Sequence, residues 1–393
     1  MKKRGSPAHV QKPTFNHQAA EAPFIAILEK VPDPRGPSPN FSYSLTSILF
    51  IVTVTTLCGA DDWEEMSDMA DAMQEWLGRY VDVSSGTPSA FTLKRVISLI
   101  DPTSLEAMLR ETAQLFRSEQ TDDVVAIDGK TLRGTKDKAR GQQGIHLLHA
   151  WSCKNKVCLG QLKVDDKSNE ITSICDLMDQ LFIKGSIITT DALNTQKTTV
   201  AKIVEKKAHY VLPVKDNHKG LRESIQLLFK EAERQGFRGI DADQFELVEK
   251  SRGRVEERLC TVLDATDLVE AKEWKGLKSA IKVTRRRTEE GKSSEEIVYY
   301  ISDLDMDAKK IAEAVRDHWG VENGLHYALD VVFGEDNHIY RDRNGSRNLS
   351  AIRKIVLASL EKVETKKKRS KKSKRFLALI DPLFRLECLK IIF

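Results

Sequence analysis

The spacing of hydrophobic positions changes character three times along the chain, and each change predicts a different kind of structure. From residue 43 to 118 the apolar residues recur every three to four positions, which predicts helices. The most apolar run, LTSILFIVTVTTLCGA at 45 to 60, is too short, too rich in Thr and too far from the N-terminus for a membrane span or signal peptide. A buried helix is expected there. The stretch GTPSAFTLKRVISLIDPTSLEAMLRETAQLF predicts a helix begun by Ser and another begun by Pro with a capping-box-like Ser and Glu spacing. Such a pair, carrying Lys94 and Arg95, suits either a helix-turn-helix reader of DNA or a plain bundle.

Period two takes over after residue 119. DVVAIDGK, IHLLHAWSC and KVCLGQLKV read as three strands, the last two joined by a tight Lys-Asn turn, and SNEITSICDLMDQLF reads as a capped helix. Then follow the strand GSIITTDA, the helix TQKTTVAKIVEKKA, the strand HYVLPV and the helical LRESIQLLFKEAER. Three strands able to pair antiparallel, followed by alternating units, predict a mixed five-stranded α/β sheet with helices on its faces, the order of a ribonuclease-H-like fold. Residues 237 to 304 read as strands separated by charged turns, a strand-rich insertion.

Helical period returns at Asp307. Ala314, Val315, His318, Val321, Leu325 and Leu329 form an apolar stripe, and Glu322 falls inside it. Its carboxylate is therefore expected to face the core and to need a cationic partner, because a buried ionised carboxylate is costly. The expected organisation is an N-terminal helical domain (1–118), a core in two parts (119–236 and 305–360) around the insertion (237–304), and a basic C-terminal segment (361–393).

Composition narrows the picture only in places. Hydrophobic residues are 40% and charged residues 31%, ordinary for a globular protein, and the net charge of +4 over 393 residues says little by itself. Its distribution says more: KKKRSKKSKR at 366 to 375 has eight basic residues in ten, and TRRRT lies at 284 to 288. The first run is expected to be a flexible arm that grips phosphates without sequence preference. Six scattered cysteines with no CxxC pair read as reduced thiols of a cytoplasmic protein, and no internal repeat is visible.

The candidate chemistry lies in three carboxylates. Asp128 and Asp191 each end a predicted strand, on the edge where open α/β sheets place their sites, and the Glu322 helix can pack over them. Three converging carboxylates repel one another unless a divalent cation supplies the missing charge, and all-oxygen ligands suit Mg²⁺. Two ions about 3.5 to 4 Å apart would serve phosphoryl transfer, so the set reads as a nuclease or polynucleotidyl transferase. His318 and His326 are eight positions apart, roughly 12 Å along a helix, too far to share one ion. They flank Glu322 and are expected to orient it or touch phosphate. GKT at 129 to 131 is no phosphate loop, since that motif needs Gly where Val124 stands.

VVAIDGKTLRGT, HLLHAWS, LGQLKVDDKSNEIT, IITTDALNTQK, YVLPVKDN and DHWGVENGLHYALDVVFGEDN resemble, in order, the blocks of the H-repeat-associated insertion-sequence transposases, a DDE family of the ribonuclease-H-like superfamily. VPDPRG and PSAFTLKRVISLIDP resemble the helical domain that accompanies that core, so the likeness spans about residues 24 to 360. It implies that Asp128, Asp191 and Glu322 are the catalytic residues and bind Mg²⁺ or Mn²⁺, two ions in all. The wider superfamily has Tyr, Arg and Lys where this chain has Val315, His318 and Leu329, so those roles are not carried over, although Arg316 could replace one of them.

The resemblance also implies cleavage at the ends of an element and attack of the freed 3′-hydroxyl on target DNA, by a homodimer assembled on double-stranded DNA in the nucleoid and not on a membrane. Lys130, Arg133, Lys167, Lys215, Arg316, His318, His326, Arg341 and Arg343 are the expected DNA contacts. Base readout is expected outside the core, in residues 43 to 118 around Lys94 and Arg95. A nuclease without strand transfer and a catalytically silent DNA-binding relative are the alternatives.

Overall fold

A computed structural model describes residues 23–36, 41–117, 121–165, 170–251, 254–289 and 292–391. Residues 1–22, part of the Pro-rich stretch and Lys167 lie outside the described residues. The apolar run forms the helix Leu45–Cys58, with 13 of its 14 residues buried. Two of its buried threonines, Thr53 and Thr55, satisfy their hydroxyls by donating to Leu49 O and Ile51 O, each at 2.8 Å. Among the described residues no single helix is long and apolar enough to cross a membrane.

Around it pack the helices Trp63–Ala72 and Ala90–Leu99, and the helix Pro102–Phe116 follows in the chain. Ser89 caps the second of these, as the sequence predicts; the third is capped by Asp101, whose carboxylate accepts from Thr103 N at 3.1 Å, rather than by the Ser and Glu spacing. A Pro at the first helical position lacks only an N–H that would have gone unpaired, so Asp101 and Pro102 suffice to start the helix.

Among the described residues the sheet has nine strands: β1 (Val124–Leu132), β2 (Ile145–Ser152), β3 (Val157–Val164), β4 (Ile187–Thr189), β5 (His209–Val214), β6 (Ala242–Ser251), β7 (Arg254–Asp264), β8 (Ser279–Glu289) and β9 (Lys292–Ser302). Their order is β3-β2-β1-β4-β5-β9-β8-β7-β6. β1 pairs antiparallel with β2 and parallel with β4, and β4 pairs parallel with β5. The expected five-stranded sheet is therefore extended. Residues 237–304 do not form a separate unit, because β9 pairs antiparallel with β5 from Val211↔Ser302 to Val214↔Tyr299 and carries the sheet outward. An unpaired β5 edge is a ready template for another strand, and the insertion supplies it.

A buried ion pair ties the starts of the central strands together. Arg117, just past the helix Pro102–Phe116, donates through Nε and Nη2 to Asp123 Oδ2, both at 3.1 Å, and through Nη2 to Ser186 Oγ at 2.6 Å. Ser152, at the end of β2, donates to the same carboxylate oxygen at 2.7 Å. Both charged side chains are fully buried.

The long helix Arg343–Lys362 packs against β3 and against the helices Ala90–Leu99 and Pro102–Phe116. Arg347 pairs with buried Glu106 at 2.9 Å, and Asn348 Nδ2 donates to Ile97 O and Ile100 O, closing the end of the Ala90–Leu99 helix. One hydrophobic cluster thus runs from Ile27 through the sheet to Leu389.

The basic run departs from the flexible arm expected of it. Residues Lys371–Ile380 are helical, and Arg375 is buried. Its guanidinium donates to Thr56 O, Ala60 O and Val332 O and pairs with Asp61 at 2.9 Å, so it occupies the carbonyl end of the buried Leu45–Cys58 helix. Lys374 donates to Leu360 O and Val363 O. Unpaired helix carbonyls in the core demand donors, and the run provides them. Arg375→Ala is expected to destabilise the fold by about 2–4 kcal/mol, by orphaning buried carbonyls, whereas Lys367→Ala, on an exposed residue, should stay within about 0.5 kcal/mol. Urea unfolding of the two variants checks this, and equal midpoints would contradict the assigned role.

Candidate active site

Register places the first two carboxylates. The parallel ladder joins Val124↔Ile187, Val125↔Ile188 and Ala126↔Thr189. Asp128 and Asp191 each follow two residues beyond its last pair, so the same register brings them side by side. Asp128 is not at a strand end, as the sequence suggested: β1 continues to Leu132 because β2 goes on pairing with it, while β4 stops at Thr189. Asp191 is held by a local turn, its Oδ1 accepting from Asn194 N at 3.1 Å and Asn194 Nδ2 at 2.8 Å.

Glu322 departs from expectation more sharply. It is exposed rather than core-facing. The α-helix Ala308–Asp317, capped by Asp307, gives way to a wider π-helical turn at Val321–His326, in which Tyr327 N–H reaches back five residues to Glu322 O. That turn keeps Val321 and Leu325 buried while Glu322 leaves the stripe. With Asp191, Lys215, His318 and Trp319 it lines a cavity of about 340 Å³.

The electrostatics connect the three acids. Burial pushes the Asp128 carboxyl up to about 6; the Gly129 N–H opposes this, and the charges of Asp191, Glu322 and Glu170 add to it. Asp191 is raised too, first by burial, with Asn194 holding it down, Glu170 raising it and Lys215 lowering it. Glu170 is a carboxylate the sequence reading missed. It opens the helix Glu170–Asp179, is buried, and lies 3.1 Å from His146 Nε2. Gly129 makes room for this pair, since a Cβ there would collide with both side chains. An acidic residue in the first turn of a helix reads as an ordinary dipole partner, so only the fold reveals its bearing on the aspartates.

The two histidines face different elements. His318 Nδ1 lies 3.0 Å from Thr189 Oγ1 at the end of β4. His326 Nε2 lies 3.1 Å from Nδ1 of fully buried His149, the cross-strand neighbour of Asp128, and its own Nδ1 is 3.7 Å from Asp128 Oδ2. Burial pushes His318 and His326 down to about 4, so both are neutral at pH 7.

The basic residues divide. Lys130 is buried, with Asp330 at 2.8 Å, Asp336 at 3.0 Å and Glu335 at 3.7 Å, so three carboxylates of the chain itself surround its charge. Arg133 is exposed, with Asp336 3.4 Å away, and Lys215 is exposed at the cavity. Arg316 pairs with Glu249 of β6 at 2.6 Å. Arg341 is exposed, and Arg343 Nη1 donates to Gln143 O at 2.8 Å.

The donor set is all carboxylate and mutually repulsive, which suits a hard divalent cation. Among the described residues, no three His, Cys, Asp or Glu side chains stand close enough to enclose one ion. The carboxylates suit such an ion by donor type and charge, but do not stand together as a preformed group.

Against this geometry the comparisons are decisive about kinship. The family described as "Transposase DDE domain" matches residues 119–358, and the family described as "DDE_Tnp_1-associated" matches residues 25–112. The chain belongs to the DDE transposases, in their H-repeat-associated group. It is 38% identical over 361 residues to "Putative transposase YncI" of Escherichia coli O157:H7, covering 91% of this chain and 92% of that one. It is 38% identical over 321 residues to "H repeat-associated putative transposase YhhI" of Escherichia coli K12, covering 80% and 84%.

Asp128 supplies a pH test. Its folded carboxyl at about 6 lies above the usual value of 3.8, so ionising it opposes folding; stability is lost as pH rises through that window and stays lost above it. Asp128→Asn should therefore be more stable than the parent at pH 7.5 in chelator, by about 2–3 kcal/mol, with the difference gone near pH 3. Thermal melts across pH measure it, and a constant difference at every pH would contradict the assignment.

Proposed function

We propose that this chain is the transposase of a bacterial insertion sequence, cutting DNA at the ends of its element and joining the freed ends to target DNA. The observation that carries the reading is the shared register of Asp128 and Asp191 beside the exposed Glu322, with Asp128 raised by burial and further by both other charges. The strand order β3-β2-β1-β4-β5 within the larger sheet supports a ribonuclease-H-like core.

Asp128, Asp191 and Glu322 would hold divalent Mg²⁺ or Mn²⁺, which when bound activates the attacking oxygen and stabilises the leaving one. The chain's own groups do the rest. Asn194 orients Asp191, and His326 stands against Asp128 with His149 behind it. Neutral His318 and His326 add no charge to the site, so phosphate neutralisation falls to Lys215, Arg133 and Arg316. Cleavage and joining are both in-line displacements at phosphorus, so one site serves both without a covalent protein intermediate. Two ends must be cut together, which favours a dimer on duplex DNA in the cytoplasm.

Incubating the pure protein with its own element ends and Mg²⁺ or Mn²⁺ should give nicked and then joined products. Glu322→Gln should lower cleavage by at least ~100-fold, the scale of losing one essential electrostatic group, with an unchanged melting curve because the side chain is exposed. Nicks without joining would assign a nuclease instead, and full cleavage by the variant would remove Glu322 from the site.

A further inference from the structure

Past the end of β1, the chain gathers cations from three separate segments. An open cleft of about 600 Å³ is lined by Lys94 of the helix Ala90–Leu99, Arg140, and the neighbours Tyr340, Arg341 and Arg343. Four cations face it against one lining carboxylate, Asp342, which is occupied in capping the helix Arg343–Lys362 through Gly345 N at 2.7 Å. The side chains of Arg140 and Arg341 are 78% and 58% exposed, so their guanidinium groups remain open to a partner. Tyr340 joins the segments: its hydroxyl lies 2.5 Å from Ser98 Oγ, and the Lys94 ammonium lies 5.6 Å from its ring centroid.

The same loop is fastened to the catalytic edge. Asp336 accepts from Lys130 Nζ at 3.0 Å and from Arg133 N at 3.2 Å, two and five residues beyond Asp128 on the same stretch of chain. A partner lying in the cleft is thereby held in fixed relation to the carboxylates. Behind the cleft the buried Asp137 carboxylate is 3.9 Å from both Arg140 and Arg341. It restrains both guanidiniums and weakens the local positive potential.

We propose that Lys94, Arg140, Arg341 and Arg343 form one track for the phosphate backbone of duplex DNA, which carries the element end from the N-terminal helices to the catalytic edge. This rests on the function proposed above. Cations spread over an open surface, drawn from three segments, suit a repeating polyanion better than a small ligand, and contacts to phosphate set position without reading bases. Lys94 then holds backbone rather than base edges.

The test is equilibrium binding of the full chain, in chelator, to its own element end and to an unrelated duplex of equal length, across a range of NaCl. Replacing all four cations by Ala should reduce the slope of log K against log salt by about 3 to 4, near 0.9 per lost phosphate contact, and equally on both duplexes. Arg140→Lys with Arg341→Lys, which keeps the charge, should retain the slope. Asp137→Asn should act in the opposite direction, tightening both duplexes roughly two- to fivefold, while its amide oxygen can still accept from Ala139 N and Arg140 N. An unchanged slope in the fourfold variant, a loss confined to the element end, or no gain from Asp137→Asn would each overturn the track. A parent that binds neither duplex would overturn the transposase reading as well, whereas a parent that binds beside an unaltered variant overturns the track alone.

Discussion

The pairing of Arg117 with Asp123 is the constraint on which the edge holding Asp128 and Asp191 depends. Two opposite charges fully removed from water survive only when their hydrogen bonds are filled, and breaking such a pair costs about 3–5 kcal/mol. Here the bonds are filled by Ser152 at the end of β2 and by Ser186 just before β4, so one buried contact fixes the end of β2 against the starts of β1 and β4. The ladder that follows is only three pairs long. So short a pairing could slip, and a slip of one residue would turn one aspartate to the opposite face of the sheet.

Much of this was legible in advance. Strands β1 to β5 and their helices follow the alternation of apolar residues, because a period of two or 3.6 is imposed by the faces that must be buried. The placing of Asp128 and Asp191 two residues beyond the same ladder was legible for the same reason: each sits where a β-branched run gives out. Glu322 was located by position and misjudged in direction. A stripe drawn at 3.6 residues per turn cannot anticipate a π turn, which alters the period by its own hydrogen bond and not by any residue type that marks it.

What stayed hidden depends on pairing between distant segments. Nothing local distinguishes an insertion that folds alone from one whose last strand joins β5, and nothing in KKKRSKKSKR separates exposed lysines from the arginine that closes a buried helix. Lys130 makes the same point. Beside Asp128 it reads as a phosphate contact, yet Asp330, Glu335 and Asp336, two hundred residues later, claim it. Behind it, burial would raise the Glu335 carboxyl, but Lys354, Arg353 and Lys130 hold it below its ordinary value. The edge that holds Asp128 thus rests on a layer of compensated charge that is buried like a core while remaining polar.

The continuity of the sheet also decides how the molecule meets its own copies. An edge strand offers unpaired amides to any passing chain. At one side, β3 lies against the helix Pro102–Phe116; at the other, the boundary has moved from the apolar β5 out to β6, whose residues include Asp243, Glu246, Glu249 and Lys250. Charge on an edge discourages strand-to-strand aggregation. A variant that lost residues 242–302 but kept both aspartates and Glu322 would bare His209–Val214 as an unpaired border, so the insertion guards an edge as well as adding a surface.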